Sequence, residues 1–85
     1  MTGHDGRGEQ VEAAILELLA ERADDASVCP SEAARRLDPI HWRERMPDVM
    51  RAVRRLSATA RILVTQRGIA VDPAVVRGPI RLKRP

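Results

Sequence analysis

Residues 47–71 read PDVMRAVRRLSATARILVTQRGIAV, a helix pattern that runs straight into a hairpin pattern. Val49, Val53, Leu56 and Ala60 fall at i, i+4, i+7 and i+11, one apolar stripe of an α-helix. Met46 precedes a proline and is biased away from the α region, so the helix is expected to open at Pro47, with Asp48 suited to its positive end. That places a helix over residues 47–60. Beyond it, residues 61–65 are β-rich around Ile62 and Val64, Gln66-Arg67-Gly68 forms a turn, and residues 69–71 form a second strand. Gly68 supplies the positive φ that a short hairpin needs.

Upstream, Val11, Ala14, Ile15, Leu18 and Leu19 recur at helical spacing and predict a helix over residues 9–23, ended by Asp24-Asp25. Residues 1–8 are polar and glycine-rich and read as a disordered tail. Ser27-Val28 is short and extended. Cys29-Pro30-Ser31-Glu32 then starts a second helix: proline suits the first helical position, and Glu32 lies three residues after Cys29, as in a capping box. Val28 and Ala33 have the spacing of a hydrophobic staple, and Ser31 competes with Cys29 as the cap. This helix ends near Leu37. Asp38-Pro39 opens an extra helical turn, and Trp42 is large enough to plug the gap between helices. Downstream, Asp72-Pro73 begins a turn closed by Gly78-Pro79, and Ile80-Arg81-Leu82-Lys83 alternates as a half-buried strand does, before Arg84-Pro85 trails off.

The order is helix, short strand, helix, helix, hairpin, strand. It predicts a mainly α chain with a small antiparallel sheet (α+β), arranged as a winged helix: a helix-turn-helix followed by a β-hairpin. About nine residues, 38–46, separate the second and third helices, a departure from the tight turn of the simplest pattern. One domain over residues 9–84 is expected, with no internal repeat or dividing linker.

Several spaced motifs are familiar together. Cys29-Pro30-Ser31-Glu32, Trp42, Met46-Pro47, Arg61-Ile62 with Val64-Thr65-Gln66, Gly68, Val71-Asp72-Pro73 and Arg77-Gly78-Pro79-Ile80-Arg81 resemble the bacterial domain-of-unknown-function family numbered 3253, over roughly residues 9–84. The resemblance implies a winged-helix-like fold. It carries over no catalytic or binding residue.

Composition narrows the function classes. The 85 residues have room for one modest core. No run of 18 or more apolar residues suggests a transmembrane helix, and residues 1–8 lack an apolar signal core, so a cytoplasmic chain without membrane contact is expected. One Trp with no Phe or Tyr gives an aliphatic core and no aromatic platform for stacking single-stranded bases. Cys29 has no disulfide partner, and with His4 and His41 it makes too few ligands for structural zinc, so no metal or cofactor is expected. Cys29, Glu32 and His41 are the one set that invites nomination as an active site, and their spacing matches no catalytic motif; the chain is not expected to be an enzyme. A reactive thiol at the helix start is a further alternative, against the plainer one of a Cys that packs or caps.

Charge points to a partner. Residues 1–34 carry eight acids and two bases, and residues 35–85 carry four acids and thirteen bases. On the third helix Arg51, Arg54, Arg55 and Ala58 share a face distinct from the apolar stripe, with no acid expected on it. In a helix-turn-helix that face meets the major groove of duplex DNA, where arginine binds guanine or phosphate. Arg67 at the hairpin tip and Arg61 before it extend the candidate DNA-binding set, and Arg81 and Lys83 flank it. The plain alternative is a solvated face, or pairing with acids of the first helix. A protein-interaction module on the same fold, including a homodimer that joins the acidic first helix to the basic third, is the other functional class.

Overall fold

A computed structural model of the protein describes residues 7–85. Three helices, α1 (Arg7–Ala20), α2 (Pro30–Leu37) and α3 (Trp42–Ala58), pack with four short strands, β1 (Ser27–Val28), β2 (Leu63–Gln66), β3 (Ile69–Ala70) and β4 (Arg81–Lys83). The sheet is antiparallel in the order β1-β4-β2-β3. The last strand therefore lies between the first and the second: Leu82 pairs with Val28 on one side and Val64 on the other. The expected element order is present as an α+β chain. The tail expected over residues 1–8 falls mostly outside the described residues, while Arg7 and Gly8 already belong to α1.

The core is aliphatic, as the shortage of aromatics requires. Val11, Ile15, Leu18 and Leu19 of α1 meet Val49, Ala52, Val53 and Leu56 of α3, with Ala33 and Ala34 of α2 filling the narrow space between. Val28, Ile62, Val64, Ile80 and Leu82 bring the inner face of the sheet against them. Alternation along β4 leaves Leu82 buried between exposed Arg81 and half-buried Lys83.

Helix α3 departs from expectation at both ends. It opens five residues earlier, at Trp42, and Pro47 lies inside it, exposed. Asp38 explains the early start. Its Oδ1 accepts the N–H groups of Ile40 (3.1 Å) and His41 (2.9 Å), which turns the chain into the helix before the proline is reached. Pro47 then forfeits one helical bond, to the Arg43 carbonyl, on the solvent side, where water can replace it. As a result only residues 38–41 separate α2 from α3, not the expected nine-residue span with its own helical turn.

At the other end Ala60 is not on the apolar stripe. It is exposed and left-handed, with φ of 59°. Arg61 N–H donates to Leu56 O (2.9 Å) and Ala60 N–H to Ser57 O (3.0 Å), the paired bonds of a Schellman stop. That position favours glycine, because a left-handed L-residue costs about 1–2 kcal/mol. Ala60→Gly is expected to raise stability by ~0.5–1 kcal/mol after the added freedom of the unfolded chain is discounted. An unchanged or lowered urea midpoint would contradict this account of the helix end.

Cys29 is the cap of α2, as its spacing to Glu32 implied. The Glu32 carboxylate accepts the Cys29 N–H (2.8 Å) and also an Arg22 N–H (2.9 Å), joining the start of α2 to the end of α1. The Cys29 N–H, with Arg22 adding to it, holds the Glu32 carboxyl below its ordinary value of 4.5. Its folded value lies below its unfolded one, so its stabilisation is whole above about pH 4.5 and is lost as pH falls through the lowered value. Glu21, held down by Arg36, and Asp38, held down by the His41 N–H, act in the same direction. Thermal melts are expected to be flat from neutrality to about pH 5 and to fall below it, with a shallower acid limb in Glu32→Gln. An acid limb as steep in Glu32→Gln as in the wild type would remove Glu32 from this account.

Candidate functional site

The five candidate arginines do not form one surface. Arg51 is bound by Asp48 one helical turn earlier, and Arg45 approaches the same carboxylate at 3.7 Å. The arginine face therefore does contain an acid, against the expectation. Arg55 reaches back to α1, where its Nε donates to Glu12 Oε2 at 2.6 Å and its Nη2 to Gly8 O at 3.4 Å. Pairing with first-helix acids is thus realised at Arg55. Arg54, Arg61 and Arg67 are exposed and make no ion pair among the described residues.

Two grooves gather the unpaired charge around the hairpin. Arg54, Ser57 and Ala58 of α3 face residues 70–74 across a groove of about 610 Å³. A second groove, of about 490 Å³, is lined by Gln66, Arg67, Arg77, Gly78, Pro79 and Arg81. Residues 70–74 wall the first and residues 77–79 the second. The hairpin between them is a two-residue turn in which Arg67 (φ 55°) and Gly68 (φ 81°) are both left-handed, the type I′ geometry. Sequence reasoning assigned the positive φ to Gly68 alone; Arg67 carries one as well.

Opposite charges meet elsewhere. Arg36 bridges Glu21 with bonds of 2.5 and 2.8 Å, Arg22 meets Glu32, and Arg84 meets Asp24. All three pairs lie on the α1 and α2 side. Trp42 is half-buried against the core, and not a simple plug: the guanidinium carbons of Arg35 and Arg43 sit over its ring, 4.3 and 4.4 Å from the centroid. Arg35, Arg43 and Arg77 were missed from the sequence. For Arg77 the signal available was the shortage of acids: beyond Asp48, Asp72 is the one acid against nine bases. Arg35 and Arg43 lie before Asp48, close to Asp38 and Glu44, and gave no such signal. Asp72 is itself engaged, accepting the Ala74 N–H at 2.9 Å.

Among the described residues no three His, Cys, Asp or Glu side chains are placed to hold a metal ion. Cys29 Sγ accepts the Ser31 hydroxyl at 3.2 Å, and Glu32 is occupied by Cys29 N–H and Arg22. No helix of the described residues is long and apolar enough to cross a membrane.

The fold and surface together define a small α+β chain in which, among the described residues, Arg54, Arg67, Arg77 and Arg81 line two grooves beside the hairpin without an ion pair, while Arg35 and Arg43 stack on Trp42. A family model described as a protein of unknown function, DUF3253, matches residues 8–85, and the chain belongs to that family. No curated protein matches the chain.

Proposed function

We propose that the chain is a winged helix that binds duplex DNA. Helices α2 and α3, joined by residues 38–41, match the short connection of a helix-turn-helix, and the β2–β3 hairpin with the loop that follows serves as the wing. One observation carries the reading: among the described residues Arg54, Arg67, Arg77 and Arg81 have no ion pair and line the two grooves beside the hairpin, with unpaired Arg61 just ahead of β2. The other unpaired arginines, Arg35 and Arg43, are taken up by the Trp42 ring. An uncompensated basic surface of this kind suits the phosphate backbone. Arg54 on α3 is placed for the major groove, where a guanidinium reads guanine or binds a wall phosphate. Arg51 and Arg55 join them only on leaving Asp48 and Glu12.

The test is fluorescence anisotropy of a labelled 20-base-pair duplex, titrated at low and physiological salt. Wild-type affinity should fall steeply with salt. The Arg54→Ala/Arg61→Ala variant should bind about tenfold or more weakly, with a salt slope lower by ~0.9 for each phosphate it no longer neutralises. Arg54→Ala alone should change stability by no more than about 0.5 kcal/mol, since it removes an exposed side chain with no ion pair to break. Failure of the wild type to bind at low salt would reject the reading. Exposed Ile69 and Val75 on the hairpin and its loop favour a protein partner as the second reading, and such an outcome would promote it.

A further inference from the structure

We propose that the groove between Arg67, Arg77 and Arg81 is a preformed seat for phosphate oxygens, and that it holds the phosphodiester backbone of the duplex beside the segment read by α3. The proposal rests on the DNA-binding reading above and names what the wing does within it.

Four features build the seat. First, among the described residues three arginines and no acidic residue line one groove. Like charges gathered this way repel, and an anion between them relieves the repulsion. Second, the loop under them is held in place. The Gln66 side-chain amide donates to Arg77 O (2.6 Å) and Pro79 O (3.1 Å), so both carbonyl acceptors are engaged within the loop. Gly78 between them has a φ of 89°, and a Cβ there would come within 3.2 Å of the Gln66 amide nitrogen, so the loop closes on Gln66 with no room to spare. Third, Arg81 is aimed. Its Nε donates to Ser27 Oγ and its Nη2 to Ser27 O, both at 2.9 Å, which fixes the fork while leaving other N–H groups free. Fourth, Arg67 stands at a left-handed turn position that glycine or asparagine occupies with less strain. A strained side chain at an exposed tip, with no partner among the described residues, is explained by a partner outside the chain.

Guanidinium forks match pairs of phosphate oxygens. Extended backbone suits the site better than a single small anion because one stretch of chain serves two grooves, residues 70–74 lining the one with Arg54 and residues 77–79 lining this one, so successive phosphates meet unpaired arginines in both.

The experiment compares the wild type with Arg67→Gly and with Arg67→Gly/Arg77→Gln. Arg67→Gly is expected to melt no lower than the wild type, because glycine suits the turn, and yet to bind duplex more weakly. The double variant should lose affinity equally for duplexes of different sequence, and its salt slope should fall by ~1.8, two phosphates at ~0.9 each. Side-chain N–H resonances of Arg77 and Arg81 should move with duplex, and stay still with inorganic phosphate at the same phosphate concentration and ionic strength. Duplex binding by the double variant with wild-type affinity and slope overturns the seat and leaves the α3 reading standing. Equal resonance shifts with inorganic phosphate overturn the backbone assignment in favour of a small-anion site. No duplex binding by the wild type overturns both.

Discussion

Leu56→Ala is expected to lower the unfolding free energy by ~2–5 kcal/mol, among the largest effects a single substitution can have in this domain. Leu56 is among the largest fully buried side chains, in the core cluster to which all three helices and the strands contribute. The buried cluster is aliphatic and drawn from separate helices and strands, so it cannot fully close in on a missing isobutyl group, and a cavity adds to the forfeited transfer energy. The same residue's carbonyl receives the Arg61 N–H that stops the helix, so loosening this turn also loosens the entry to β2. In a domain this small the loss is a large share of total stability, worth roughly 8 °C or more in melting temperature. A melting curve within about 3 °C of the wild type would mean that the inner face of α3 is not at Val49, Val53 and Leu56.

Arg84→Ala is expected to follow, at about 2 kcal/mol. The C-terminal residues, expected to trail off, instead close the domain. Arg84 Nη2 donates to the carbonyls of Leu19 (3.0 Å), Ala20 (3.1 Å) and Arg22 (3.1 Å), and its Nε donates to Leu19 O (3.2 Å). Leu19 and Ala20 close α1 and Arg22 follows it, at the helix end where the dipole favours a cation; Leu19 O also accepts the Arg22 N–H. Charged hydrogen bonds of this kind contribute ~1.5–3 kcal/mol, and partial exposure puts the total near the lower half of that range. The pairing with Asp24 adds little, because that carboxylate is almost wholly in water. Arg84→Lys should recover only part of the loss, since an ammonium keeps the charge and not the planar fork. If Arg84→Ala and the wild type share a denaturant midpoint, the clamp carries no weight.

Much of this was legible because it is local. The apolar stripe of α1, the Cys29–Glu32 spacing at α2, the hairpin turn at Gly68 and the alternation of Arg81, Leu82 and Lys83 depend on neighbours a few residues away, and each is present. The Arg51–Asp48 pair is equally local, at i and i−3, but an acid at the expected start of a helix reads as a partner of the dipole before it reads as a partner of the next arginine. Pro47 misled for a physical reason. Its penalty is real, but it falls on one solvent-facing bond, and the Asp38 turn and the core packing of Val49 and Val53 outweigh it.

By itself the sequence determined the element types, the aliphatic core and the segregation of acids from bases along the chain, because period, propensity and net charge are properties of short stretches. Only the tertiary structure decided which arginines stay free. Arg55 lies 43 residues from Glu12 and Arg84 lies 60 from Asp24, and each found its acid only when helices and strands came together. Arg67, Arg77 and Arg81 line one groove with no ion pair among the described residues because β4 inserts between β1 and β2 and draws its approach loop alongside the hairpin. Ion pairing at a surface depends on distances of a few ångströms, and chain separation says nothing about those until the sheet has closed.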